Sequence, residues 1–464
     1  MEFNQLFSTA KVKKEYLIIT LPIPFVLNFL YNYIQNDFSV PHLKLTNILY
    51  AFFAFCFLCS IGQLISHSLG LNSISFSIVI YLISFFAIDY TYLIFQYDET
   101  SFSLMFYVTN ILWLLLLSRF FKKKYLIYCF NILFTFIILK VLNSTIGEKL
   151  FTPIETRGDV EYFWFPMTKI LYDNNLKYAL INNIEPGYGL MINHVHAVLF
   201  KLTISDPTFE FVSAVPNIFL FVSILFILET RFSYLIKTVC SIMLLTIVVN
   251  SYWLSYLLIN SLMGEGVISL FFPIIIYNLL KHKISKYSYI DILVFIIIGF
   301  FYLSKPFASF IFLLIIVIFS YRHKNMRLLI LGFLGFLINY LIYKFVITNS
   351  YSNNYFNKTE LMDFDILNFR NIIDIFLNLI QLDRVMSLFL FILLTLIFIN
   401  YLFKNYIDDS IYIFFIIFIN ILLVALLYVS FWQDRELESA YRYIFSIFNM
   451  YILGLGFELK KLNS

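Results

Sequence analysis

The stretch "TRGDVEYFWFPMTKIL", residues 156–171, sets two carboxylates, Asp159 and Glu161, beside an aromatic run in an otherwise oily chain. A carboxylate within hydrogen-bond reach of a hydroxyl can take its proton as that oxygen attacks an electrophilic carbon, which is general-base work. Further on, "EPGYGLMINHVH" (185–196) supplies a Pro-Gly turn, Tyr188, His194 and His196. Two cations also stand apart, Lys305 in "YLSKPFASF" and Arg442 in "YRY". A guanidinium such as that of Arg442 can clamp an anion through paired hydrogen bonds, and an ammonium such as that of Lys305 can meet it as a point charge. "SLMGEG" places Glu265 at the start of another apolar run, where it could hold a metal or orient a substrate.

Each of these residues also has a plainer reading. Asp159 follows Gly158 and suits a helix N-cap. Arg442, between Tyr441 and Tyr443, suits an interfacial anchor, and Lys305 suits snorkelling. Histidines two residues apart on a helix point in different directions, so joint metal ligation by His194 and His196 is not expected. Polar packing is the plainer reading of both, and contact with an acceptor is the other. Asp363, Asp365, Arg370, Asp383 and Arg384 are most simply solvated, or line an entry for an acceptor.

The elements that must position these groups follow from composition. The chain is 61% hydrophobic and 13% charged, against roughly 25% charged residues in a soluble domain. Apolar runs of about 18 or more residues recur along the chain, which is the mark of membrane-spanning helices. Their continuity excludes a β-barrel, whose segments alternate. Spans are expected near 16–34, 45–66, 73–95, 102–121, 125–143, 211–230, 234–257, 264–281, 288–303, 306–320, 327–347, 384–403, 411–431 and 441–457. Each can satisfy its backbone in lipid only as a helix. The fold class is therefore all-α and polytopic, with about fourteen transmembrane helices. No small-residue cleavage site follows Tyr16–Ile34, so that run is expected to stay as a helix. Cys56, Cys59, Cys129 and Cys240 all fall in apolar runs, and the CxxC of Cys56 and Cys59 reads as packing.

Sidedness comes from Lys and Arg in short loops. Lys11, Lys13 and Lys14, the Arg119–Lys124 cluster, Lys281–Lys286, Arg322–Arg327 and Lys460–Lys461 fall on one side if both termini are cytoplasmic. Two long regions, 144–210 and 348–383, then lie outside. Loops of that length in a compact bundle are usually functional or disordered. Within the first, Val160, Phe163, Trp164, Met167, Ile170 and Leu171 form one apolar stripe at helical spacing, opposite Glu161, Lys169, Asp173 and Asn174. A short interfacial helix is expected, kinked or restarted by Pro166. Residues 188–204, "YGLMINHVHAVLFKLTI", are expected to lie on, or dip into, the outer face. Counting them as a span would invert every later loop. The five N-terminal spans hold few polar residues and read as scaffold.

The order of these motifs resembles the GT-C superfamily of integral-membrane glycosyltransferases, which includes protein O-mannosyltransferases and the aminoarabinose transferase of lipid A. Those enzymes carry an acidic motif in the first large external loop, where Asp159 to Glu161 stand. A "W..KAK.L"-like pattern follows, matched by "WFPMTKIL", Trp164 to Leu171. "EPGYGLM" is similar to their "YPPL" or "HPDYPLL" element, "EGVISLFF" to a "D..LA.FF" span opening, and Arg442-Tyr443 to an Arg-Tyr pair. The chain departs in using D-x-E, in lacking one Pro of "YPPL", and in placing Glu265 where Asp is usual. The resemblance covers roughly residues 125–460.

The resemblance implies an inverting transferase that moves a sugar from a polyprenyl-phosphate donor to an acceptor hydroxyl outside the cytoplasm. Asp159 is the expected general base, with Glu161 as second choice. Arg442 and Lys305 are expected on the donor phosphate, and Glu265, Tyr188, His194 and Trp164 around the substrate. A divalent metal, Mg or Mn, is left open. The acceptor is a lipid, a glycan or a protein, membrane lipids surround the chain, and no nucleic-acid partner is expected. The organisation expected is an N-terminal scaffold (1–124), a GT-C-like core (125–347) bearing the first external loop, a second external loop (348–383) and C-terminal helices (384–464), in a bacterial inner membrane. A polysaccharide polymerase or ligase and a lipid-linked sugar flippase or transporter are the alternatives.

Overall fold

The computed structural model describes residues 45–71, 73–94, 102–120, 125–150, 164–181, 190–203, 214–250, 264–281, 326–342, 391–399, 409–430 and 448–462, with isolated positions between them. Among these residues there is no strand. The helices are α1 (Leu45–Leu69), α2 (Ile74–Ile94), α3 (Phe102–Arg119), α4 (Leu126–Leu150), α5 (Phe165–Asp173), α6 (Leu176–Ile181), α7 (Leu190–Thr203), α8 (Ala214–Glu229), α9 (Tyr234–Asn250), α10 (Gly264–Lys281), α11 (Met326–Ile342), α12 (Asp409–Ser430) and α13 (Phe448–Leu462). Three of the described helices, α1, α2 and α3, are long and apolar enough to cross a membrane. Shorter apolar stretches lie in α4, α8, α9, α10, α11 and α12.

Helix α1 sits at the centre, against α2, α4 and α8, while α13 packs on α9, α10 and α12. Both groups share one core that runs from Tyr50 to Leu455. The outward faces are apolar too. Leu104, Tyr107, Ile111, Leu114 and Leu115 of α3, and Phe130, Leu133, Phe134 and Ile137 of α4, are exposed. Side chains like these on a contiguous surface require a partner other than water, and hydrocarbon supplies it. Polar side chains instead turn inward to tie neighbouring helices. The Tyr81 hydroxyl donates to Asn110 Oδ1 at 2.7 Å, and the Trp113 indole N–H donates to Ser84 Oγ at 2.8 Å, both between α2 and α3. Such bonds hold helices together where lipid gives no hydrophobic drive.

Hydrogen bonds between helix termini mark two ends of the described bundle. At one end Glu229 meets Ser73 and Ser75, Tyr128 meets His67, and the Arg231 N–H donates to the Tyr277 hydroxyl. At the other end Asp89 meets His194 and the Leu176 N–H, and the Tyr50 hydroxyl donates to the Thr203 carbonyl.

Close approach of α1 and α2 depends on Gly62. A Cβ there would lie 2.8 Å from Ile78 Cγ1, 2.9 Å from Ile74 Cγ2 and 3.0 Å from the Ile74 carbonyl oxygen. Gly62→Leu is expected to force these helices apart and to cost about 1–3 kcal/mol, the usual range for overpacking. A full-length variant whose thermal unfolding in detergent matches the parent would refute this.

The segment 188–204 is expected to lie on, or dip into, the outer face, and its described part, α7, is buried. Every residue of α7 from Met191 to Phe200 is buried, against α2, α4, α5, α8 and α10. Its 14 residues reach about 21 Å at 1.5 Å per residue, short of the roughly 30 Å hydrocarbon layer. Over its described residues α7 is therefore an element inserted into the bundle, shorter than a full span.

Candidate functional site at the loop end of α2

The segment from Trp164 to Thr203 builds one end of the bundle. Helix α5 starts at Phe165 with Pro166 in its first turn, where a missing N–H costs nothing. It buries Phe165, Met167, Thr168 and Leu171 and exposes Lys169 and Asp173. Trp164, just before it, is 2% exposed. Inside this layer the Thr168 hydroxyl donates to the Trp164 carbonyl at 2.7 Å, and the Asn193 amide reaches Met167 Sδ at 3.4 Å. Lys201 lies 3.9 Å above the Tyr172 ring, a cation–π contact between α7 and α5.

The chemical centre of this end is a carboxylate and an imidazole. His194 Nε2 donates to Asp89 Oδ2 at 3.0 Å, and the same oxygen accepts the Leu176 N–H at 3.2 Å. His194 is 0% and Asp89 1% exposed. Phe86 and Phe102 stand edge-to-face with the imidazole at 5.5 and 5.1 Å, so two aromatic rings exclude water from it. Hydrogen bonding of Nε2–H to the carboxylate fixes the tautomer. The other ring nitrogen, Nδ1, has no hydrogen-bond partner.

The backbone geometry explains why an acid belongs at position 89. The first N–H groups of a helix have no partner inside it. In α6 the Asn175 side chain accepts the Tyr178 N–H at 2.8 Å, an N-cap, and Asp89 takes the Leu176 N–H from outside. The far end of α2 repeats this arrangement with different residues. Ser73 Oγ accepts the Phe76 N–H at 3.1 Å. The Glu229 carboxylate takes the N–H groups of Ile74 and Ser75 and the hydroxyls of Ser73 and Ser75.

His196 faces α8, tilted against Phe219 at 5.9 Å, and neither of its ring nitrogens has a partner. Burial pushes its imidazole down to about 3. The usual value is about 6.5. Between these values the unfolded chain binds a proton that the folded chain refuses, so stability falls as pH drops from 6.5 towards 3. His196→Leu removes two unsatisfied buried nitrogens and this proton linkage. We expect it to raise stability at neutral pH and to flatten the acid limb by about 2–3 kcal/mol at pH 4.5. Parallel thermal melts at pH 7 and 4.5 check this, and an unchanged acid limb in the variant would refute it.

Of the site residues expected from the sequence, Trp164 and His194 are described, as is the other candidate histidine, His196, and all three are buried. Asp159, Glu161, Tyr188, Lys305, Arg442 and the Glu265 side chain lie outside the described residues, as do the span at 16–34 and most of the region 348–383. Sequence reasoning passed over Asp89, Ser73, Ser75 and Glu229. The signal for Asp89 was present, as a lone acid in "SIVIYLISFFAIDYTYLIF", since an ionisable residue inside a span marks a site by default. The four cysteines are free. Among the described residues no group of three or more His, Cys, Asp or Glu side chains is placed to hold a metal ion.

Comparison of the chain with protein-family models, with curated proteins and with solved structures found no match.

Proposed function

We propose that this chain is a membrane glycosyltransferase of about fourteen spans, GT-C-like in architecture, with both termini in the cytoplasm of a bacterial inner-membrane host. It takes a sugar from a polyprenyl-phosphate donor and passes it to an acceptor hydroxyl at the opposite face. The observation that supports this reading best is the burial of the loop segment. Helices α5, α6 and α7 form a fixed layer at one end of the bundle, where a solvated connector would stay on the surface. Asp159 and Glu161 precede the buried Trp164 by five and three residues, which ties an acidic motif to that layer through a short tether. Asp159 is the general base, and Arg442 with Lys305 meets the donor phosphate.

Reconstitution of the full chain into liposomes with a radiolabelled polyprenyl-phosphate sugar tests the reading. Time-dependent transfer of label to a lipid, glycan or protein acceptor is expected, and an intact donor with every acceptor class would refute it. Arg442→Ala should weaken donor binding about tenfold more than Arg442→Lys, because lysine keeps the charge and loses the bidentate geometry. Equal effects would reduce Arg442 to an anchor.

A lipid-linked sugar flippase is the second reading, favoured by Asp89, a buried acid inside a helix long enough to span. Donor crossing the bilayer with its sugar bond unbroken, lost in Asp89→Asn, would select it.

A further inference from the structure

Helix α6 is only six residues long, too short to hold a helical form by its own hydrogen bonds. Its contacts are with α2 and α5, and Leu176, Ala179 and Leu180 are buried there. The Leu176 N–H of α6 donates to the Asp89 carboxylate of α2, 3.2 Å away. The same carboxylate oxygen receives His194 Nε2 of α7 at 3.0 Å. One side chain of a membrane helix therefore binds two separate helices of the loop layer at a single oxygen.

A carboxylate this deeply buried is costly unless it is paired and hydrogen-bonded. His194 supplies the pairing. Without the imidazole, Asp89 would keep one backbone donor, with the rest of its carboxylate unsatisfied in a dry interior. Without Asp89, His194 would have no partner on either nitrogen, and the first N–H of α6 would have no acceptor. The two residues depend on each other, and the position of α6 depends on both.

We propose that Asp89 and His194 are positioning residues, a polar clasp that fastens the loop helices α6 and α7 to the end of α2. The clasp, in place of the surrounding apolar packing, keeps α6 closed. It is a property of the fold and holds whether or not the chain transfers sugar. Glu229 binds the opposite end of α2 with comparable burial and has no part in it.

Thiol labelling of the full chain in detergent separates a local release from general unfolding. Cys56, Cys59 and Cys129 are replaced by alanine, and Ala179→Cys adds a reporter at a fully buried position of α6. Cys240 is retained as an internal control. It is buried in α9, with its Sγ 3.9 Å from the Ile452 carbonyl of α13, and α9 packs on α8 and α13. Asp89→Leu and His194→Leu keep apolar volume and remove the polar contacts. Each is expected to speed labelling at 179 by about tenfold or more, as local opening requires, while Cys240 stays protected. Asp89→Asn keeps an acceptor for the Leu176 N–H and is expected to leave 179 protected, and Glu229→Gln is expected to do the same.

Protection of 179 in both leucine variants would overturn the clasp, because packing alone would then suffice. Labelling of Cys240 together with 179 would also overturn it, since Asp89 would then be one more core residue. So would exposure of 179 in Asp89→Asn or in Glu229→Gln to the extent seen in Asp89→Leu.

Discussion

Glu229→Ala is expected to cost about 3–5 kcal/mol of stability, the range for removing one partner from a buried charged contact. Glu229 is the last residue of α8, where a negative charge opposes the dipole of its own helix. Its position makes sense only from the side of α2. There it faces a helix N-terminus, where the dipole favours an anion and the first N–H groups lack partners. Four donors converge on its two oxygens, the N–H groups of Ile74 and Ser75 and the hydroxyls of Ser73 and Ser75. Truncation to alanine leaves all four in a dry interior, and each unsatisfied buried group costs about 1–3 kcal/mol before relaxation. Glu229→Gln retains one carbonyl oxygen and should lose about half as much. Denaturation of the purified full chain in one detergent, variant against parent, reads both. A loss under about 1 kcal/mol for alanine would place Glu229 among ordinary surface pairs.

Asp159→Asn is expected to lower sugar-transfer turnover about 10²–10⁴-fold, the typical contribution of a positioned general base, if the transferase reading is right. The amide keeps the shape of the side chain and cannot accept a proton. Donor affinity should change little, because the base acts on the acceptor and only in the transition state, so kcat falls and KM holds. Glu161→Gln should have a smaller effect. Near-parent activity in Asp159→Asn with loss in Glu161→Gln would exchange their roles, and full activity in both would remove the acidic motif from the chemistry. Normal expression of each variant is the control against a folding defect.

Some of this organisation could be read directly from residue spacing. The apolar runs at 45–66, 73–95 and 102–121 correspond to α1, α2 and α3, because a span must be a helix and its length is set by the bilayer. The stripe of Trp164, Met167 and Leu171 lies on the buried face of α5, and Pro166 falls in its first turn. Both are local consequences of helical period and of proline's missing donor. The placement of α7 was harder to read. "LMINHVHAVLFKLT" is amphipathic enough for an interface and apolar enough for a core. The choice was made by packing from α2, α4, α5, α8 and α10, which a single strand of sequence does not contain.

The polar interior shows the same division. Sequence determined that this chain is a bundle of apolar helices broken by a long polar-edged segment, because hydropathy and period act within a dozen neighbouring residues. Tertiary structure alone decided that Asp89 belongs with His194, 105 positions away, and that Glu229 belongs with Ser73, 156 positions away. Neither acid has its partners near it in the sequence. Each is stabilised by donors at the start of another helix, and which helix start lies within hydrogen-bonding distance of which carboxylate is a property of the packed bundle.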